Sequence, residues 1–243
     1  MTSAASSSSF AGFQPVGNYF IPDTTQRHTL GTKLNVVDPY WGGQEVIYLA
    51  IPTSTALSVG SLVTWDNTDT IAAAPNTANL GQPVAFCLNA VASNASSVQY
   101  GWFVISGAFV SLAGASVAAN TAFGITAAGK TGAIANGKQI VNARVQVAAT
   151  KTVVKANSST QNGSTVLKVT NSDGWFVGLP LSGTGIAGST TISAISSDGT
   201  TVTMNNAATA TGAVSVTGTY NDGSSNYWNT ITCERPFAQG QVT

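Results

Sequence analysis

The chain has 243 residues, nine Lys+Arg against nine Asp+Glu, one His and a formal net charge of zero. Charged residues are 7% of the sequence and hydrophobic residues 43%, where an average soluble domain carries about 25% charged residues. This balance excludes an electrostatic grip on a phosphate backbone and a disordered polymer, and no apolar run reaches the roughly 20 residues that cross a bilayer. A surface so poor in charge suits a protein docked in an assembly, because a free monomer of this kind tends to associate.

Residues 1–29 read as an N-terminal arm. The stretch MTSAASSSSFAGFQPVGNYF is small and polar with scattered aromatics, and such a composition has no core of its own. Met1–Phe13 lacks a basic segment followed by an apolar one, so no signal peptide is expected. The arm is expected to dock on a neighbouring protein through Phe10, Phe13, Tyr19 and Phe20; a frayed terminus is the competing reading. Tyr40 and Trp41, placed just before Gly42-Gly43, join these four as candidate contact residues.

From about residue 30 the signal is strands. EVIYLAI (45–51), SLVTWD (61–66), VAFCLNAV (84–91), VQYGWFVI (98–105), GAFVSL (107–112) and QIVNARVQVAA (139–149) are rich in β-branched and aromatic residues and bounded by turn formers. The Ala/Gly/Thr-rich passage 112–137 shows no period of 3.6 and reads as turns and tight bends. Past Thr150 the chain becomes richer in Thr and Ser, with STVLKVT, TTISAIS, TTVTM and AVSVTGT as strands and Asp198-Gly199 as a hairpin turn. YWNTITCERPF (227–237) alternates again. The expected fold is all-β: a β-sandwich or barrel-like main domain over 30–150, to which 221–243 returns, and a second small β domain over 151–220 inserted into it. Cys87 and Cys233 read as buried free thiols of a protein made in a cytosol, with a bridge between them left open.

Chemistry is poorly supplied. Gly124-Ile-Thr-Ala-Ala-Gly129-Lys130-Thr131 matches the phosphate-loop pattern, but two further glycines follow within six residues, where the mechanism needs a helix. Gly183-Thr-Gly185-Ile-Ala-Gly188 matches GxGxxG without the strand–helix context of a dinucleotide site. His28 is the single histidine, and two cysteines 146 positions apart offer no zinc spacing. Asp66 and Asp69 form the closest acidic pair, in a turn-like WDNTDT. No GxSxG elbow occurs. A non-enzymatic protein with no catalytic residue, no cofactor and no metal is expected.

Residues 30–149 resemble the capsid decoration (cement) proteins of tailed bacteriophages. The segments that carry the resemblance are Leu57-Ser-Val-Gly60-Ser-Leu-Val63, Gly81-Gln-Pro-Val-Ala-Phe-Cys-Leu-Asn-Ala-Val91, Tyr100–Gly107 (YGWFVISG), the Ala128–Gly132 passage (AGKTG) and Gly137–Val147. The resemblance implies a β-rich protein on the outside of an icosahedral head, made in the host cytoplasm, with the major capsid protein as partner. It also implies a homo-oligomer, a trimer before a dimer. The 163–220 segment is similar to Thr/Gly-rich β modules of phage virion and tail proteins. The alternative is a carbohydrate- or receptor-binding module of the phage head or tail, with Trp175, Phe176 and Tyr220 as a stacking platform.

Overall fold

A computed structural model describes residues 20–240, and among them there is no helix. The strands are β1 (Lys33–Asp38), β2 (Gly42–Ile51), β3 (Leu62–Trp65), β4 (Ile71–Ala73), β5 (Val84–Cys87), β6 (Gln99–Ala113), β7 (Gly124–Ala127) and β8 (Lys130–Gly132). They continue with β9 (Ile140–Val147), β10 (Thr152–Thr160), β11 (Val166–Lys168), β12 (Pro180–Gly183), β13 (Thr190–Ile195), β14 (Thr201–Met204), β15 (Gly212–Thr219) and β16 (Tyr227–Ala238). The protein is all-β, with a ten-stranded sheet and a closed barrel.

β6 is the spine of the sheet. Along one edge it pairs with β2 from Gln99 to Gly107; along the other it meets β5 at Phe103 and Val104, then β16 from Ser106 to Ala113. The sequence divides this stretch into two strands at Gly107. The structure runs them together, with Gly107 as a bend at φ +105°, where an added Cβ would lie 2.5 Å from the Gly43 carbonyl oxygen. Only glycine fits that backbone and that approach.

Both faces of the sheet centre are buried. In β2 and β6, Val46, Tyr48, Trp102 and Val104 pack into one apolar cluster, while Ile47, Leu49, Phe103 and Ile105 pack into a second on the opposite face. Two-sided burial is why EVIYLAI and GWFVI read as continuous apolar runs rather than alternating ones. A backbone bridge from Ala50 to Thr70 brings β4 back against β2, so β2, β6, β5, β3 and β4 curl around the second cluster.

The barrel closes in the order β10-β11-β14-β13-β12-β15. Its short strands alternate: Leu167, Ile192, Val202, Met204 and Val216 point inward among Thr and Ser that face solvent. Trp175 plugs one end, its indole N–H donating to the Val153 carbonyl at 3.0 Å. All six strands lie between β9 and β16, and those two strands pair with each other in the sheet. The chain therefore crosses into the barrel at Lys151 and returns at Tyr220, where the Tyr220 amide donates to the Lys151 carbonyl at 3.0 Å. The core runs through this joint: Phe109, Trp41, Tyr220, Phe176 and Trp228 form a chain of ring contacts at 6.1, 6.4, 5.5 and 5.4 Å.

Candidate functional site

The residues expected at a contact surface divide three ways. Phe10, Phe13 and Tyr19 lie outside the described residues. Phe20 is buried, edge-on to Trp102 at 5.9 Å, and its carbonyl accepts from Asn89 Nδ2 at 2.7 Å. Beside it Asp23 and Tyr100 exchange backbone hydrogen bonds of 3.0 and 2.8 Å, so the root of the arm is fixed to β6. Tyr40 and Trp41 form the tip of the β1–β2 hairpin, where Asp38 Oδ1 accepts from both of their amides at 2.8 and 2.9 Å. The hairpin reaches the joint rather than the outside. Trp41 is 9% exposed between Phe109 and Tyr220, and the half-buried Tyr40 ring stands edge-on to it at 4.8 Å.

A platform of Trp175, Phe176 and Tyr220 is not available on the barrel surface. All three are buried, Tyr220 completely, with its hydroxyl donating to the Gly174 carbonyl at 2.6 Å. They fill the barrel end and its seam with the sheet, because rings of this size are the means by which so small a barrel gains a core.

The nucleotide-like patterns fold as hairpins. Gly124–Thr131 spans β7, a turn and β8, with no helix to aim amides at a phosphate. Lys130 Nζ donates to the Ser225 carbonyl and to Asn226 Oδ1 at 3.1 and 2.8 Å, and the buried Thr131 hydroxyl lies 2.7 Å from that of Ser111. Gly183–Gly188 is the turn between β12 and β13. Asp66 Oδ1 accepts from the Thr68 hydroxyl and the Thr68 and Thr70 amides, which hold its carboxyl below the usual value. His28 packs against Tyr48 and Trp102, and burial, then Arg27, lowers its pKa. Cys87 and Cys233 are free and buried; desolvation pushes the Cys233 thiol up to about 12 and Cys87 still higher, so neither is a thiolate at neutral pH. Among the described residues no three His, Cys, Asp or Glu side chains are grouped to hold a metal ion.

The site that stands out lies on the sheet where β9 and β16 pair. Both glutamates and two of the three arginines of the chain converge there. Between Cys233 and Phe237 the register slips, as β16 inserts extra residues opposite Ala143 and Val141. Arg235 sits at φ +47° and, across the ladder, Asn142 at φ +58°. A left-handed arginine within a strand is rare, and here it has a cause. The turned backbone sends the guanidinium toward β2, where Nε and the terminal nitrogen bind the two Glu45 oxygens at 3.2 and 3.1 Å. That carboxylate raises the already high pKa of Arg235. Around the pair opens a shallow groove of about 850 Å³ lined by Ser106, Asn142, Arg144, Thr232 and Glu234.

Sequence reasoning passed over this site. Its signal was present in Glu234-Arg235-Pro236: a proline inside a strand marks a bulge, and bulges re-aim side chains. Compared with models of protein families, with curated proteins and with solved structures, the chain finds no match in any of the three.

Proposed function

We propose that this chain is a non-enzymatic structural protein of a tailed-phage virion, which decorates the outer surface of the capsid and bridges major capsid protein subunits as a homo-oligomer. The observation that carries the reading is the mutual packing of the segments that resemble decoration proteins. Gly60 lies flat on β6: its amide donates to the Cys87 carbonyl and its own carbonyl accepts from the Leu112 amide, each at 2.8 Å. A Cβ on Gly60 would come within 2.9 Å of Leu112 N and Val110 O. The Gly129 carbonyl of the AGKTG passage accepts from the Leu62 amide at 2.9 Å, and β9, from the last segment, pairs with β16 beside β6. These segments thus form one connected part of the sheet, as the parts of a shared fold would.

A cement of this composition holds by buried apolar area and backbone hydrogen bonds, since zero net charge gives little long-range attraction. The 19 residues ahead of Phe20 depart from an anchored point, which suits an arm reaching a neighbouring subunit. The test is a comparison of heads with and without the protein. Complete heads should withstand higher temperature, because a ligand that binds only the assembled lattice stabilises it by mass action. Binding should change little with salt, and removal of residues 1–19 should weaken it while the fold persists. Equal heat resistance of both kinds of head overturns the reading.

A further inference from the structure

Once Arg235 and Glu45 are paired, two charges at the β9–β16 groove have neither an ion pair nor a side-chain hydrogen bond among the described residues: Arg144 and Glu234. Both are exposed. Arg144 stands opposite Thr232, and Glu234 follows Thr232 by two positions on β16, so the two charges share a face of the sheet and lie side by side. Their polar neighbours in the groove are the neutral Ser106, Asn142 and Thr232 and the Arg235 guanidinium, which is already bound to Glu45.

We infer that this groove is a contact surface between copies of this chain, in which Arg144 of one copy meets Glu234 of the next. The argument is complementarity: Arg144 and Glu234 are exposed charges of opposite sign without a salt bridge, Glu234 having only the electrostatic influence of the already paired Arg235, and a second copy brings the same two in the opposite sense. Opposite charges buried together fix the register of an interface and reject displaced docking. Glu234 itself stays in the ladder, opposite Ser106 of β6, and the register slips only beyond Cys233 on the β9 side. The inference rests on the homo-oligomer part of the proposed function and adds the surface through which it forms. Either a two-fold dimer or a closed ring satisfies the pairing.

The test is sedimentation velocity on the full chain over a range of concentrations, with circular dichroism as a control for folding. The unaltered chain should self-associate. Arg144→Glu and Glu234→Arg should each weaken association about tenfold or more, and the double variant should recover to within about threefold of the starting affinity. A chain that stays monomeric at every concentration, single reversals without effect, or a double variant that fails to recover each overturns the inference. Head binding is measured on the same variants. If the single reversals impair head binding and leave self-association intact, the groove faces the capsid, so this inference fails and the decoration reading survives. If the charge-reversal cycle behaves as expected while no variant binds heads, the inference stands without the decoration reading.

Discussion

The ammonium nitrogen of Lys151 stands 4.7 Å from the centre of the Tyr40 ring, with the Trp41 and Tyr220 rings at 5.1 and 5.5 Å. The cation sits just ahead of β10, Tyr220 just after β15, and Tyr40 and Trp41 at the tip of a hairpin of the sheet. Three pieces of chain thus share one charge. Lys151→Met keeps the aliphatic stem and loses the cation, and should cost about 1 kcal/mol, the scale of a partly desolvated cation–π contact. Lys151→Arg should cost less. Urea unfolding followed by tryptophan emission measures both, and equal midpoints for Lys151→Met and the unaltered chain would show that the charge does not tie the joint.

Asp38 tests the hairpin beneath that cation. Burial raises its pKa, against the opposing amides of Trp41 and Tyr40. A raised folded value means that this group favours the fold most below about pH 4, where the unfolded carboxyl also binds its proton, and less as the pH rises through the folded value. Asp38→Asn keeps an acceptor for both amides and removes the buried charge, so its stability at neutral pH should match or exceed that of the unaltered chain. Asp38→Ala leaves two amides without their acceptor and should cost about 1–3 kcal/mol. Melting temperatures of the two variants at pH 7 separate the charge from the hydrogen bonds.

Asp198 should show the opposite sign. The Ser196 hydroxyl, then the Thr200 amide and hydroxyl, hold its carboxyl down to about 2 in the turn between β13 and β14. A lowered folded value gives a contribution that is complete above about pH 4 and fades as the pH falls through about 2. The Thr200 amide resonance should therefore titrate in that acid window, and Asp198→Asn should abolish the titration. A midpoint near 4 would mean that the turn is not held by the carboxylate.

Gly107→Ala should lower stability by about 2 kcal/mol or more, since it combines a strained backbone angle with a clash against the Gly43 carbonyl. Denaturant midpoints measure the cost. A loss under half that size would mean that β6 can bend elsewhere.

The strands were largely legible because their residues are unambiguous. β6, β9, β13 and β16 fall within two residues of the runs EVIYLAI-like patterning would place there, apart from the join at Gly107. β10 escaped notice because Thr152–Thr160 is polar and mostly exposed, without an apolar face to betray it. β1 escaped because its Val-Val-Asp-Pro ending reads as the close of a segment rather than a hairpin arm. The packing of Phe20, Tyr40 and Trp41 within the chain was not legible: an aromatic at a hairpin tip looks the same in sequence whether it meets solvent or a crossing strand far along the chain. The charged groove was hidden for the same reason. Arg235 and Glu45 are 190 residues apart, and no local pattern foretells that a left-handed turn of one strand will deliver its guanidinium to another.

The indole N–H of Trp228 donates to the Val59 carbonyl at 3.1 Å, a bond between groups 169 residues apart. Such a contact closes a very long loop, and loop closure of that kind slows folding. The barrel shortens it. Because Lys151 and Tyr220 are hydrogen-bonded at its base, a folded barrel delivers β16 to β9 as if only a tight turn separated them. All six barrel strands precede β16 along the chain, so a barrel that closes first would offer the last strand a seam already held together. A barrel that closes first would act as a folding clamp for the sheet, and variants that slow its closure should then slow the docking of the final strand, as stopped-flow refolding would measure.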